Sequence, residues 1–191
     1  MGSFYTNITL RTEQQPKVVE TLRAAGRKAY VSPPMNGCVV VYDHESEDQS
    51  KALNKLAGSL SAKLKCAALA VLIHDDDLLV YGLFQDGKLM DEYVSWPALF
   101  DDSASESPEG GDAEILARAF GAESKIDEIE SVLRETRAGN RDEGIIFESE
   151  RHGELVAALG IPTIAVSTGY NYIEQGELPE GTTEESFTRV G

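Results

Sequence analysis

The chain has 191 residues, 33 Asp/Glu against 17 Lys/Arg and a formal net charge of −16, which excludes an affinity built on neutralising nucleic-acid phosphates or a polybasic hold on anionic lipid. Leu, Ile, Val and Phe number 47, above the roughly 20% of residues below which such charge accompanies disorder, so a packed core is expected. No apolar run approaches the roughly 18 residues needed to span a bilayer, and Met1–Leu10 lacks the apolar stretch of a secretory signal, so a cytoplasmic protein without membrane contact is expected.

Phe4–Leu10 alternates, with Phe4, Ile8 and Leu10 on one face and Asn7 and Thr9 on the other, the pattern of a half-buried strand. Val18, Val19, Leu22 and Ala25 share a helical stripe that Gly26 stops. The start of that helix lies either at a Thr12–Gln15 capping box or at Pro16, which favours the first helical position. Lys28–Ser32 and Cys38–Tyr42 flank Pro33-Pro34-Met35-Asn36-Gly37 and predict a hairpin with a longer loop. Ser46 and Gln49 form a capping-box pattern before the cleanest helix, whose stripe is Leu53, Leu56, Ala57, Leu60 and Leu64. Lys51, Lys55, Lys63 and Lys65 interleave as its polar side.

Ala67–Ile73 is apolar on both faces and predicts a central strand. Asp75-Asp76-Asp77 breaks it, Leu78–Phe84 is a second apolar strand, Asp86-Gly87 a tight turn, and Lys88–Val94 a more polar strand near an edge. In chain order this is β-α-β-β-α-β with an added antiparallel pair. The expected class is α+β, a ferredoxin-like (βαββαβ) antiparallel sheet with an added β-hairpin and a C-terminal helical region. A meander-rich sheet with the same elements in another strand order is the alternative.

Residues 1–100 are therefore expected to form an α/β sandwich with a mainly antiparallel sheet. Residues 101–112, without a large apolar side chain, read as a flexible acidic loop. Residues 113–175 read as a helical region with a returning strand. Asp112 caps Ala113–Phe120, Ile126, Ile129, Val132 and Leu133 mark a second helix, and Leu155, Val156 and Leu159 a third ending at Gly160. Ile145-Ile146-Phe147 is its first turn or a separate strand, and Thr163–Val166 with Tyr170–Ile173 reads as one interrupted strand. Residues 176–191 are expected to be a disordered tail.

The charge is uneven. Residues 1–66 hold nine Lys/Arg and six Asp/Glu, whereas residues 67–191 hold eight and twenty-seven. Such a contrast makes a molecular dipole able to steer a charged partner. Cys38 and Cys66 fit no metal or redox spacing and read as reduced, buried thiols.

His74, Asp75 and Asp77 are candidate metal ligands by type, since hard cations want oxygen donors. Consecutive strand residues point to alternate faces, however, so a solvated turn and no metal are expected. Glu148 and His152, four apart on one helical face, are the candidate acid–base couple, although a His beside an apolar stripe is expected to be a satisfied, partly buried side chain. No nucleophile elbow, Walker loop or dinucleotide fingerprint occurs, and no cofactor is expected. Trp96, Leu99 and Phe100, followed by Asp101 and Asp102, have the composition of a partner-binding anchor, or else fold back to complete the core.

The function expected from these features is that of a non-catalytic interaction module. A regulator, inhibitor or antitoxin-like protein of this kind would use its acidic second half to bind a basic protein surface. An enzyme using His152 and Glu148 or the His74–Asp77 turn is the alternative, and a small-ligand sensor on a ferredoxin-like sheet is a third reading by fold analogy.

Overall fold

All six residues of β1 (Tyr5–Leu10) are buried in the computed structural model, which describes residues 2–47, 50–136, 145 and 147–191. Alternation sends Ile8 and Leu10 to one side and Tyr5, Asn7 and Thr9 to the other. The polar side is not solvated as the half-buried pattern predicts. Asn7 is 1% and Thr9 2% exposed, because the C-terminal half of the chain lies over that face.

The remaining elements follow as α1 (Gln15–Ala24), β2 (Ala29–Val31), β3 (Val39–Asp43), α2 (Ser50–Leu64), β4 (Ala68–His74), β5 (Leu78–Gln85), β6 (Lys88–Val94), β7 (Glu109–Gly110), α3 (Ala113–Phe120), α4 (Ile126–Arg134), α5 (Glu148–Leu159), α6 (Tyr170–Glu174) and β8 (Thr188–Val190). The fold is mixed α+β. Its eight strands pair antiparallel in the order β7-β6-β5-β4-β1-β3-β2-β8, a larger sheet than the expected one.

Two apolar cores result. On one face α1 and α2 set Val18, Leu22, Leu53, Leu56 and Leu60 against Ile8, Leu10, Val39, Val41, Ala68 and Ala70. On the other, α3 to α6 set Leu116, Ile129, Leu133, Leu155 and Tyr170 against Tyr5, Tyr42, Leu69, Val71, Tyr81 and Tyr93. Covering both faces explains why β4 is a continuous apolar run rather than an alternating one. Cys38 and Cys66 are free and buried, and burial pushes the Cys66 thiol up to about 11, which leaves it a poor nucleophile.

Three tight turns set the register. Asn36 and Gly37, Asp86 and Gly87, and Asp75 and Asp76 all have positive φ, as a type I′ hairpin turn requires of both central residues. The first two carry the expected glycine; the third does not.

Several local expectations change. The α1 helix begins at Gln15 with Pro16 in its first turn and no side-chain cap, while the Gln15 amide donates instead to Ser32 O and Thr188 Oγ1. Ser46 lies in a short 3-10 turn capped by Asp43 and is buried; Gln49 and Ile146 lie outside the described residues. Residues 163–165 form a 3-10 turn and residues 170–174 a helix, not a returning strand; the late strand that joins the sheet is β8, beside β2. That strand falls in the stretch expected to be a disordered tail. Its Val190 is 1% exposed in the α1/α2 core, and Arg189 lies over the Tyr30 ring. The acidic segment 101–112 contains β7, where a Cβ on Gly110 (φ +73) would stand 2.1 Å from Glu92 O; only glycine allows that approach.

Candidate functional site

Asp76 shows why the His74–Asp77 turn is built from aspartates. A left-handed conformation is costly for most residues and least so for Asn and Asp. Asp75 accepts from Gly2 N at 2.8 Å. Asp76 accepts from Ser3 N at 3.3 Å and Ser149 N at 3.0 Å, and its carbonyl receives Glu148 N at 3.0 Å. It therefore caps the first turn of α5 from a distant part of the chain, satisfying two amides that have no partner within the helix. Burial raises its pKa, but the hydrogen bonds from Ser149 and Ser3 outweigh burial and hold it below the usual value. Asp76→Ala is expected to cost about 1–2 kcal/mol by loss of this cap, read as a lower urea midpoint with an unchanged slope; a cost below about 0.5 kcal/mol would show the cap to be dispensable.

His74, Asp75 and Asp77 do not converge. His74 packs edge-on against Phe4 and Phe100 at centroid distances of 4.7 and 5.3 Å. Among the described residues no group of three or more His, Cys, Asp or Glu is arranged to hold a metal ion.

Glu148 and His152 face different partners, both deep in the protein. Glu148 is 0%, Arg151 0% and His152 1% exposed. The Arg151 guanidinium donates to Glu148 Oε2 at 2.8 Å and to the carbonyls of Val132 and Glu135 at 2.5 and 2.7 Å. His152 Nδ1 meets the Tyr5 hydroxyl at 2.9 Å. Burial raises the pKa of that phenol well above the usual value. Burial lowers the His152 pKa to about 4, so it is neutral near pH 7 and a weak base.

Phe100 is 71% exposed beside exposed Asp101 and Asp102, with Leu99 only half-buried. Trp96 is half-buried and its Nε1 donates to Glu106 at 2.9 Å. Of the three apolar residues of the expected anchor Phe100 is the most exposed, and Phe147, 50% exposed, is a second exposed ring.

A cleft of about 570 Å³ opens where the chain was expected to be a strand and a tail. One wall is the segment 163–168, the other residues 177–180, with Ser3 and Tyr172 between them. Buried polar groups of the sheet hold the first wall in place. Tyr42 donates to Ile164 O at 2.7 Å, and Asn7 Nδ2 to Ala165 O at 2.7 Å and Thr168 O at 3.2 Å. Ser167, exposed on this wall, has a left-handed φ of 53°, a conformation that persists only where surrounding contacts over-determine it. Sequence reasoning missed these residues. The groups that hold this wall, Asn7 and Tyr42, lie at least 122 residues from the carbonyls they bind. The chain matches no family model, and neither a curated protein nor a solved structure matches it.

Proposed function

We propose that this chain is a non-catalytic, cytoplasmic interaction module whose acidic layer binds a basic surface on another protein, as a regulator, inhibitor or antitoxin-like partner does. The observation that carries this reading is the division of charge between layers. The α1 and α2 helices hold five Lys/Arg and one Glu, whereas the described residues of 113–187, whose helices cover the opposite face of the sheet, hold fourteen Asp/Glu and four Lys/Arg. A potential of one sign spread over one face steers an oppositely charged partner and orients it. Phe100, exposed beside Asp101 and Asp102, supplies an aromatic anchor. Closure of Glu148 and His152 within the core argues for the module over an acid–base enzyme. For the scaffold we infer a ferredoxin-like unit, supported by the β4-β1-β3-β2 order of the βαββαβ segment and widened by β5–β7 and β8.

The test is capture from a lysate of the source cells, with wild-type protein and an Asp101→Asn/Asp102→Asn/Glu106→Gln/Phe100→Ala variant as baits. A basic protein retained at low salt, released at high salt and bound roughly tenfold more weakly by the variant is the expected result. Retention that ignores both salt and the substitutions, or no retained protein at all, would overturn the reading.

A further inference from the structure

We propose that a hollow of about 340 Å³ between the β5–β6 hairpin and α3 binds a small organic acid, a carboxylate carrying an aliphatic tail. The inference is independent of the acidic-module reading. Leu83, Met90, Ile115 and Ala119 supply the apolar lining, and Gln85 and Arg118 the polar groups. Two local devices build the hollow. Ile115, Arg118 and Ala119 lie at i, i+3 and i+4 on α3, hence on one face of that helix. On the sheet, Leu83 pairs with Asp91 and Phe84 with Leu89, so Met90 is an extra residue on β6. A bulge of this kind re-aims a side chain, and Met90 both lines the hollow and is 47% exposed. Among the described residues β7 pairs only with Tyr93 and Val94, so no strand covers β6 at Met90.

The lining fits a tail and the polar groups fit a head. Aliphatic side chains facing water are removed from it together with any methylene chain laid against them, and the flexible thioether of Met90 adapts to the shape of that chain. Arg27, Arg134, Arg151 and Arg189 each pair with a carboxylate of the protein. By contrast, neither the Arg118 guanidinium nor the Gln85 side-chain amide has a partner among the described residues. A guanidinium presents its N–H donors as a planar fork that matches a carboxylate, and the amide adds two more donors. The volume stands at the small end of the range for small-molecule sites, which suits a short free acid. The net charge of −16 opposes any anion at long range, so neither the head nor the tail suffices alone.

The experiment is an amide NMR titration of the full chain with octanoate below its micellar concentration, with acetate and octanamide as controls. Octanoate is expected to give saturable shifts at Leu83, Gln85, Met90, Ile115 and Ala119. Acetate, which lacks the tail, gives none, and octanamide, which lacks the charge, binds roughly fivefold more weakly or worse. Arg118→Gln changes an exposed side chain and is expected to lower the octanoate affinity to that of octanamide, with the rest of the spectrum unchanged. No saturable shift with octanoate, an equal response to octanamide, an unchanged affinity in Arg118→Gln, or shifts centred on Tyr172 instead would overturn the proposal.

Discussion

Arg151→Met is expected to destabilise the protein by about 3–5 kcal/mol, the loss that follows when one partner of a buried ion pair is removed. The guanidinium is fully enclosed and joins three groups. One is the Glu148 carboxylate three residues earlier on α5; the others are the carbonyls of Val132 and Glu135 at the end of α4. Those carbonyls belong to the last turn of a helix, where no intrahelical N–H reaches them and the dipole favours a cation. Methionine fills much of the volume but removes the donor to Glu148 Oε2 and to the two carbonyls at the end of α4. The double variant Glu148→Met/Arg151→Met removes both charges and is expected to recover part of the loss. It remains below wild type, because the α4 carbonyls still lack donors. Urea unfolding of the three proteins reads the series. A single-variant loss under about 1 kcal/mol, or a double variant no better than the single, would show that the pair is not desolvated as the structure has it.

Acidification from pH 7 to pH 4 is expected to remove about 3 kcal/mol of stability through His152 alone. The sign follows from burial. The folded pKa is about 4, below the ordinary value of about 6.5 that holds in the unfolded chain, so the unfolded state binds the extra proton first. The contribution is therefore intact above about pH 6.5 and is lost progressively as the pH falls toward 4. Acid simultaneously relieves the mutual repulsion of a chain with net charge −16, which acts in the opposite direction. The measurement is thus a difference between wild type and His152→Asn, whose amide oxygen can accept from Tyr5 without titrating. The variant is less stable at pH 7 through lost packing, and its stability changes less between pH 7 and 4. Parallel pH profiles for the two proteins would show that His152 is accessible to protons in the folded state. Below that window Asp76, whose pKa is held down by hydrogen bonds from Ser149 and Ser3, adds a further loss as it protonates.

The elements that were readable from sequence are those whose signal is local. Leu53, Leu56, Ala57 and Leu60 lie on one stripe of α2 because a helix repeats every 3.6 residues, and all four are buried. Asn36-Gly37 and Asp86-Gly87 turn the chain because glycine accepts positive φ. The site was legible only in fragments. Glu148 and His152 were singled out as a pair four residues apart, yet the partners that set their chemistry are Arg151 for one and Tyr5 for the other. Phe100 was visible as an aromatic beside acids, but whether it packed inward depended on how the segment after β6 returned.

Amphipathic periodicity, turn residues and the uneven charge along the chain were decided by the sequence itself, since each depends on neighbours within a few residues or on a simple count. Tertiary structure decided that the polar face of β1 is covered, that segment 163–168 lines a cleft rather than extends the sheet, and that residues 188–190 add β8 to its edge. Each of these outcomes turns on a polar group, buried in the first two cases and half-buried in the third, finding a partner far along the chain: Asn7 with Ala165, Tyr42 with Ile164, Gln15 with Thr188. Desolvating such a group is unfavourable until the partner arrives, and no local pattern records where the partner will be.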